Sequence, residues 1–123
     1  SFSDLNQGLS GLRTNQVLVR GDDYFAAISN GIYIRDNTGA QWILTGAAGK
    51  NMLSVAYATQ NACLMAAGGV GVTYTSTNCG IMWQLTTSEL NRWSFQAALV
   101  DPANASRFIF GSKEAGAFLW KRE

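Results

Sequence analysis

A six-residue pattern, Asn-x-Gly-x-x-Trp, occurs twice in this chain, at residues 37–42 and again at residues 78–83. The two copies are 41 residues apart, and Tyr33 and Tyr74 repeat at the same distance. The surrounding segments are short runs of β-branched and aromatic residues separated by Gly, Asn, Asp and Ser, which favour strands over helices. Units of about 40–45 residues that each hold four short strands are typical of β-propeller blades. The repeat therefore predicts an all-β propeller.

Short runs of strand-forming residues occur in two sets of four and one set of three. They lie near residues 16–20, 24–28, 31–35 and 42–45, near 53–58, 63–67, 70–76 and 83–87, and near 95–100, 107–111 and 116–121. We expect one propeller segment, residues 1–123, built from about three blades' worth of four-stranded antiparallel sheets.

Two complete blades are predicted, together with two parts of a split blade. The expected outer strand of the split blade is 1–10, the blades are 11–48 and 49–90, and the inner three strands of the split blade are 91–123. Three blades are too few to close a ring, so we expect a homo-oligomer or a larger propeller assembly. In its simplest form, the N-terminal strand of each chain completes the last blade of another chain.

The repeated segments resemble a known family motif. Ser-x-Asp-x-Gly-x-Thr-Trp is the Asp-box, or BNR repeat, of sialidases, sortilin-type receptors, xyloglucanases and photosystem assembly factors, and residues 35–42 and 76–83 are similar to it. Both copies carry Asn in place of the Asp, neither has the Thr, and the first also lacks the Ser. Residues 2–9 and 101–111 resemble the stretches that flank such repeats. The resemblance implies a propeller whose boxes lie away from most propeller active sites.

Turn chemistry gives the box residues a structural role. An Asx side chain accepts backbone N–H bonds, Gly supplies a positive φ, and Trp packs between blades. We expect this structural role, rather than ligand binding, for Asn37, Gly39, Trp42, Ser76, Asn78, Gly80 and Trp83.

The two cysteines lie where a hairpin would bring them together. If residues 63–67 and 70–76 pair, Cys63 and Cys79 face each other at the open end of the hairpin, within disulfide reach. The alternative is two free buried thiols. A bridge favours an extracellular, periplasmic or cell-surface location, as does the sequon at Asn104, a candidate glycosylation site, although sequons also occur by chance.

Two tryptophans lie outside the repeated box position. Trp93 and Trp120 are candidates for ligand contact, because aromatic faces stack on sugar rings and anchor protein interfaces. In the repeat alignment Trp120 falls at the position of Arg35 and Ser76. The alternative for both tryptophans is packing between blades.

Composition excludes several classes of function. The chain has 47% hydrophobic and 14% charged residues, enough apolar material for a core and too little charge for disorder. A net charge of +1 with no basic cluster disfavours nucleic acid, and no apolar run is long enough for membrane insertion. Without histidine and with only two cysteines, a zinc site or a His-based triad is not expected.

Catalysis is not expected either. A glycosidase needs two convergent carboxylates, and the Asp, Glu and Arg residues of this chain are scattered. We therefore predict no enzyme, no catalytic residue, no metal and no cofactor. The preferred function is a non-enzymatic scaffold, secreted or surface-located, that assembles with itself or with protein partners. The alternatives are a glycan-binding, lectin-type propeller and a fragment of a larger BNR-repeat glycoside hydrolase.

Overall fold

The computed structural model describes residues 8–9, 11–36, 41–87, 93–104 and 106–121. Within these ranges all the regular structure is β-strand. The strands are β1 (Thr14–Arg20), β2 (Asp23–Ile28), β3 (Gly31–Asp36), β4 (Ile43–Gly46), β5 (Met52–Tyr57), β6 (Met65–Gly69), β7 (Thr73–Ser76), β8 (Gln84–Thr87), β9 (Phe95–Val100), β10 (Arg107–Ser112) and β11 (Gly116–Lys121).

The strands form three antiparallel sheets, which are the first, second and third blades. Their orders are β1-β2-β3-β4, β5-β6-β7-β8 and β11-β10-β9, so each strand pairs with its neighbour in sequence. The predicted all-β class and blade architecture are confirmed. The predicted outer strand at residues 1–10 lies almost wholly outside the described residues, so its pairing stays a prediction.

Hydrophobic side chains fill the space between the first and second blades. Phe25 and Ile32 of the first blade pack with Met52 and Met65 of the second, and all four are fully buried. Tyr74 belongs to the same core, and its burial raises the pKa of its hydroxyl above the ordinary value. Alternate residues of β2 and β3, namely 25 and 27 and then 32 and 34, face this core, as side chains on one face of a strand do.

A second core lies between the second and third blades. Phe95, Phe108 and Phe110 of the third blade pack on Leu64 and Ala66 of the second. The Phe95 ring meets the Phe110 ring edge-on, with centroids 6.4 Å apart. Both faces of the second blade are thus covered by a neighbour.

Polar contacts join the innermost strands across the blades. Asn15 Nδ2 on β1 donates to the Met52 carbonyl on β5 at 2.7 Å, and the Val55 amide donates to Gln16 Oε1 at 3.0 Å. Ser54 Oγ on β5 donates to the Phe95 carbonyl on β9 at 3.0 Å. Of these three side chains Ser54 is buried, so its bond to the Phe95 carbonyl satisfies a hydroxyl that the packing of sheet on sheet removes from water.

The remaining face of the first blade is covered only in part. Leu9, which is 6% exposed, packs with Ala26, Ile28 and Trp42 on the side away from the second blade. This small core holds Leu9 and Leu12 against the first blade.

Two glycines allow a test of the packing between the second and third blades. A Cβ at Gly68 would lie 2.6 Å from the Phe95 carbonyl oxygen and 2.9 Å from Ser54 Oγ, whereas a Cβ at Gly111 would meet nothing closer than 3.4 Å. Neither glycine has a positive φ. We expect Gly68→Ala to lower the free energy of unfolding by about 1–3 kcal/mol through overpacking.

Gly111→Ala is the matched control, and it should change the free energy of unfolding by less than about 0.5 kcal/mol. Urea denaturation followed by tryptophan fluorescence measures both variants. Equal losses for the two would contradict a close contact between β6 and β9.

Candidate functional site

The second box, residues 76–83, is a turn closed by its own hydrogen bonds. Ser76 Oγ accepts the Gly80 amide at 3.0 Å and donates to Asn78 Oδ1 at 3.0 Å. Asn78 Oδ1 also accepts the Met82 amide at 3.0 Å, and Trp83 Nε1 donates to the Gly80 carbonyl at 3.1 Å. The neutral amide oxygen of Asn therefore serves here as an acceptor in the position of the family's carboxylate.

This box turn also presses against the first blade. Gly80 has φ +84°, and a Cβ there would lie 2.6 Å from Cε1 of Phe25. The Trp83 indole packs against Gly46 of β4, where a Cβ would collide with its ring. Glycine is thus required at these two positions by close approach between blades.

Of the first box, residues 35–42, the structure leaves residues 37–40 undescribed. Asn37 and Gly39 lie outside the described residues. Trp42 is 6% exposed and packs against Leu9, whereas Trp83 is half-buried. A structural role for the box residues stays the prediction that best fits these contacts.

A disulfide joins Cys63 and Cys79, so the box turn is linked to the β5–β6 connection. The Cys79 amide also donates to the Cys63 carbonyl at 3.0 Å. The described part of the chain contains no free cysteine.

Arg20 lies against this linked turn and was not singled out by the sequence. Its Nη1 donates to the Cys79 carbonyl at 2.9 Å and the Ala62 carbonyl at 3.1 Å, and its Nη2 pairs with Asp23 at 3.0 Å. The guanidinium also lies 4.6 Å from the centre of the Phe25 ring. The sequence could have indicated the Arg20–Asp23 pair, because an Arg three residues before an Asp lies across a tight turn from it. Nothing in the neighbouring residues indicates the contacts of Arg20 with the second blade.

The two candidate tryptophans lie at opposite ends of the third blade. Trp93 stacks on Phe118 with ring centroids 5.2 Å apart, near the β10–β11 turn. Trp120 packs on Phe108 at 5.7 Å and is nearer the β9–β10 turn. Both are half-buried and contact the core between the second and third blades, so they do not form one site. Ligand contact by either stays a prediction.

Asn104 is exposed in the β9–β10 turn. Its Oδ1 accepts the Ser106 amide at 3.1 Å and the Ser106 hydroxyl at 2.7 Å. Its glycosylation stays a prediction.

The sheets have two distinct ends. The box end carries the β1–β2, β5–β6, β7–β8 and β9–β10 connections, and the open end carries the β2–β3, β6–β7 and β10–β11 turns. At the box end Asp23 is paired with Arg20, and Asp101 lies 3.9 Å from Arg107. At the open end Glu114 accepts the Ser94 amide at 2.7 Å.

A groove of about 390 Å³ lies beside the box turn on the second blade. Its lining includes Ser76 and Asn78, whose side-chain oxygens are already used within the turn. Among the described residues, no group of three His, Cys, Asp or Glu could hold a metal ion. No helix in the same ranges is long and apolar enough to cross a membrane.

Solved structures similar to this chain are β-propeller enzymes. An ancestral GH74 enzyme matches with a TM-score of 0.68 and 25% identity, over 89% of this chain and 14% of that chain. The GH74 xyloglucanase from Xanthomonas campestris matches with a TM-score of 0.74 and 13% identity, over 98% of this chain and 22% of that chain. This chain therefore spans less than a quarter of either enzyme.

No protein-family model and no curated protein matches the chain. The propeller part of the predicted resemblance is supported by the solved structures. The BNR assignment remains a resemblance based on the box residues.

The prediction that the chain is not an enzyme is wrong. Both matched structures are GH74 enzymes, which makes this chain similar to part of an enzyme. The prediction took the scattered carboxylates as a sign that no catalytic pair exists. That inference fails because three blades do not contain all the groups that a much longer enzyme can bring to one site.

The hydrogen bonds of Asn78 predict two different outcomes for two substitutions. Asn78→Ala removes the acceptor of the Met82 amide and the Ser76 hydroxyl, so we expect a loss of about 1–3 kcal/mol in the free energy of unfolding. Asn78→Asp keeps both acceptors and should change stability by less than about 1 kcal/mol at pH 7. Equal losses for Ala and Asp in thermal denaturation would contradict the role of the acceptor.

The disulfide predicts a second stability change. Cys63 and Cys79 are 16 residues apart, so the bridge closes a short loop of the unfolded chain. Cys63→Ser combined with Cys79→Ser should lower the free energy of unfolding by about 2–4 kcal/mol. Non-reducing peptide mass spectrometry should detect the linked pair in the wild type, and free thiols after oxidising preparation would disprove it.

Proposed function

We propose that this chain is a three-blade part of the propeller of a GH74-type glycoside hydrolase that acts on a β-glucan of the xyloglucan kind. The observation that carries the proposal is the match to the ancestral GH74 enzyme, at 25% identity over 89% of the chain. The match to the Xanthomonas campestris xyloglucanase supports the choice of polysaccharide.

The open end is the surface that we assign to the polysaccharide. At the box end, the Arg20 guanidinium and the Ser76 and Asn78 side chains are all used in contacts within or between blades. Trp93 lies at the open end, at the half-exposed edge of the core between the second and third blades. An indole in that position offers a flat apolar surface to a sugar ring.

The part of this chain in the reaction is to bind and orient the polysaccharide. Hydrolysis of a glycosidic bond ordinarily needs two carboxyl groups, one on each side of the bond. Among the described residues of the open end, Glu114 is the only carboxylate, and it is hydrogen-bonded to the Ser94 amide. We assign the catalytic pair, or at least one member of it, to polypeptide outside the described residues.

An extracytoplasmic location belongs to the same proposal. The Cys63–Cys79 disulfide supports it, because such bridges persist in oxidising compartments and are rare in the reducing cytosol. A hydrolase that acts on a polymer too large to cross a cell membrane must also meet its substrate outside the cell.

Affinity electrophoresis in gels that contain tamarind xyloglucan tests this proposal. The wild-type chain should be retarded by xyloglucan and not by a gel that contains mannan. Trp93→Ala should weaken binding several-fold, equivalent to about 1 kcal/mol, through loss of the aromatic face.

Two control variants make the result specific. Trp93→Phe keeps an aromatic face and should retain most of the binding. Trp120→Phe changes a tryptophan at the box end and should leave binding unaltered. Equal mobility of the wild type in gels with and without xyloglucan would disprove the polysaccharide assignment.

A further inference from the structure

The peptide group that joins Trp93 to Ser94 is held from two sides. Its carbonyl, on Trp93, accepts the Gly71 amide of the β6–β7 turn at 2.8 Å. Its amide, on Ser94, donates to Glu114 Oε1 in the β10–β11 turn at 2.7 Å. The carbonyl and the N–H of a planar trans peptide group point in opposite directions, so one partner on each side fixes its orientation. The second and third blades therefore hold this peptide group between them.

Backbone contacts anchor the next atoms of the same segment. The Ser94 carbonyl accepts the Lys113 amide at 3.0 Å and the Gln96 amide at 3.1 Å. Ser94 also pairs with Val70 of the second blade in an isolated β-bridge. Among the residues that the structure describes, Glu114 is the only one whose side chain bonds to the 93–94 peptide group. Its contribution can therefore be removed by substitution, whereas the backbone bonds remain.

The Trp93 indole is oriented by aromatic contacts. It stacks on the Phe118 ring of β11, with centroids 5.2 Å apart and ring planes 20° apart. Phe118 in turn meets the Phe95 ring edge-on at 5.9 Å. One face of the indole thus lies on Phe118, which leaves the other face as the surface on which a sugar ring can stack. The direction of this surface depends on the backbone of Trp93, which the 93–94 peptide group sets.

We infer that Glu114 is a positioning residue for polysaccharide binding at the open end. Its carboxylate holds the 93–94 peptide group, and through it the Trp93 indole, in the orientation that a sugar ring meets. A surface that is fixed before the ligand arrives loses less conformational entropy on binding, so this hydrogen bond adds to affinity without touching the sugar. The inference rests on the proposed function of the open end.

A carboxylate is well suited to this role. An ionised carboxylate accepts a backbone N–H in a short, strong bond, and 2.7 Å is at the short end of the usual range. Asp101 makes the same kind of bond at the box end of the third blade, where its Oδ1 accepts the Ala103 amide at 2.8 Å. Asp101 is therefore a matched control, since its bond lies at the opposite end from Trp93.

Amide hydrogen exchange tests the bond without any polysaccharide. In Glu114→Ala the Ser94 amide should exchange about fivefold or more faster than in the wild type by NMR, because its acceptor is lost. Glu114→Gln keeps an acceptor oxygen, so its exchange rate should stay near that of the wild type. Equal rates in the wild type and in Glu114→Ala would overturn the inference.

Affinity electrophoresis in xyloglucan gels tests the effect on binding. Glu114→Ala should weaken binding about twofold to threefold, which is less than the loss for Trp93→Ala, and Glu114→Gln should retain most of the binding. Asp101→Ala should bind as the wild type does. If the wild type and Glu114→Ala are retarded equally, the inference is overturned and the proposed function stands. A wild type that is not retarded at all overturns the proposed function itself, and the positioning role with it.

A double variant separates positioning from direct contact with the sugar. If Glu114 acts only through Trp93, its loss has no effect once the indole is gone. Trp93→Ala combined with Glu114→Ala should therefore bind as Trp93→Ala alone does. A further loss of affinity in the double variant would overturn the positioning role and make Glu114 a sugar contact. If Trp93→Ala fails to fold by circular dichroism, Trp93→Leu takes its place in both variants.

Discussion

Burial of one blade face against the next is the constraint on which the rest of this structure depends. A four-stranded sheet with apolar residues on both sides has no stable form alone in water, because its strands would expose those residues. The second blade resolves this by packing between two neighbours. The inter-blade hydrogen bonds of Asn15, Gln16 and Ser54 and the glycines at positions 46, 68 and 80 follow from that packing, since each lies where two sheets come close.

The fold was readable from the sequence because the repeat preserves turn chemistry. Asn, Gly and Trp recur at fixed offsets in the two boxes, and the strand runs recur with them. The repeat also placed Trp120 at the position of Arg35 and Ser76, and the sheet registers agree. Trp120 pairs with Phe108 as Arg35 pairs with Tyr24 and Ser76 with Met65, counted from the register irregularity that each sheet has between its first two strands. The β10–β11 turn has three residues between its last paired positions where the β2–β3 turn has two, so the third repeat is out of step with the first by the length of its loops.

Contacts between blades could not be predicted from local patterns. Arg20 contacts carbonyl groups 42 and 59 residues away in sequence, and nothing in the residues around it indicates those partners. The function could not be predicted from the sequence for a related reason. The matched enzymes are several times longer than this chain, so the comparison covers only a small part of either enzyme.

The replacement of Asp by Asn in the box turn affects how the protein responds to acid. A carboxylate at this position would take up a proton as the pH falls towards about 4, and its capacity to accept the Met82 amide and the Ser76 hydroxyl would fall with it. The amide of Asn78 does not titrate, so these two bonds are the same in a neutral and in an acidic medium. The closure of the box turn by its Asn side chain is thereby independent of proton concentration.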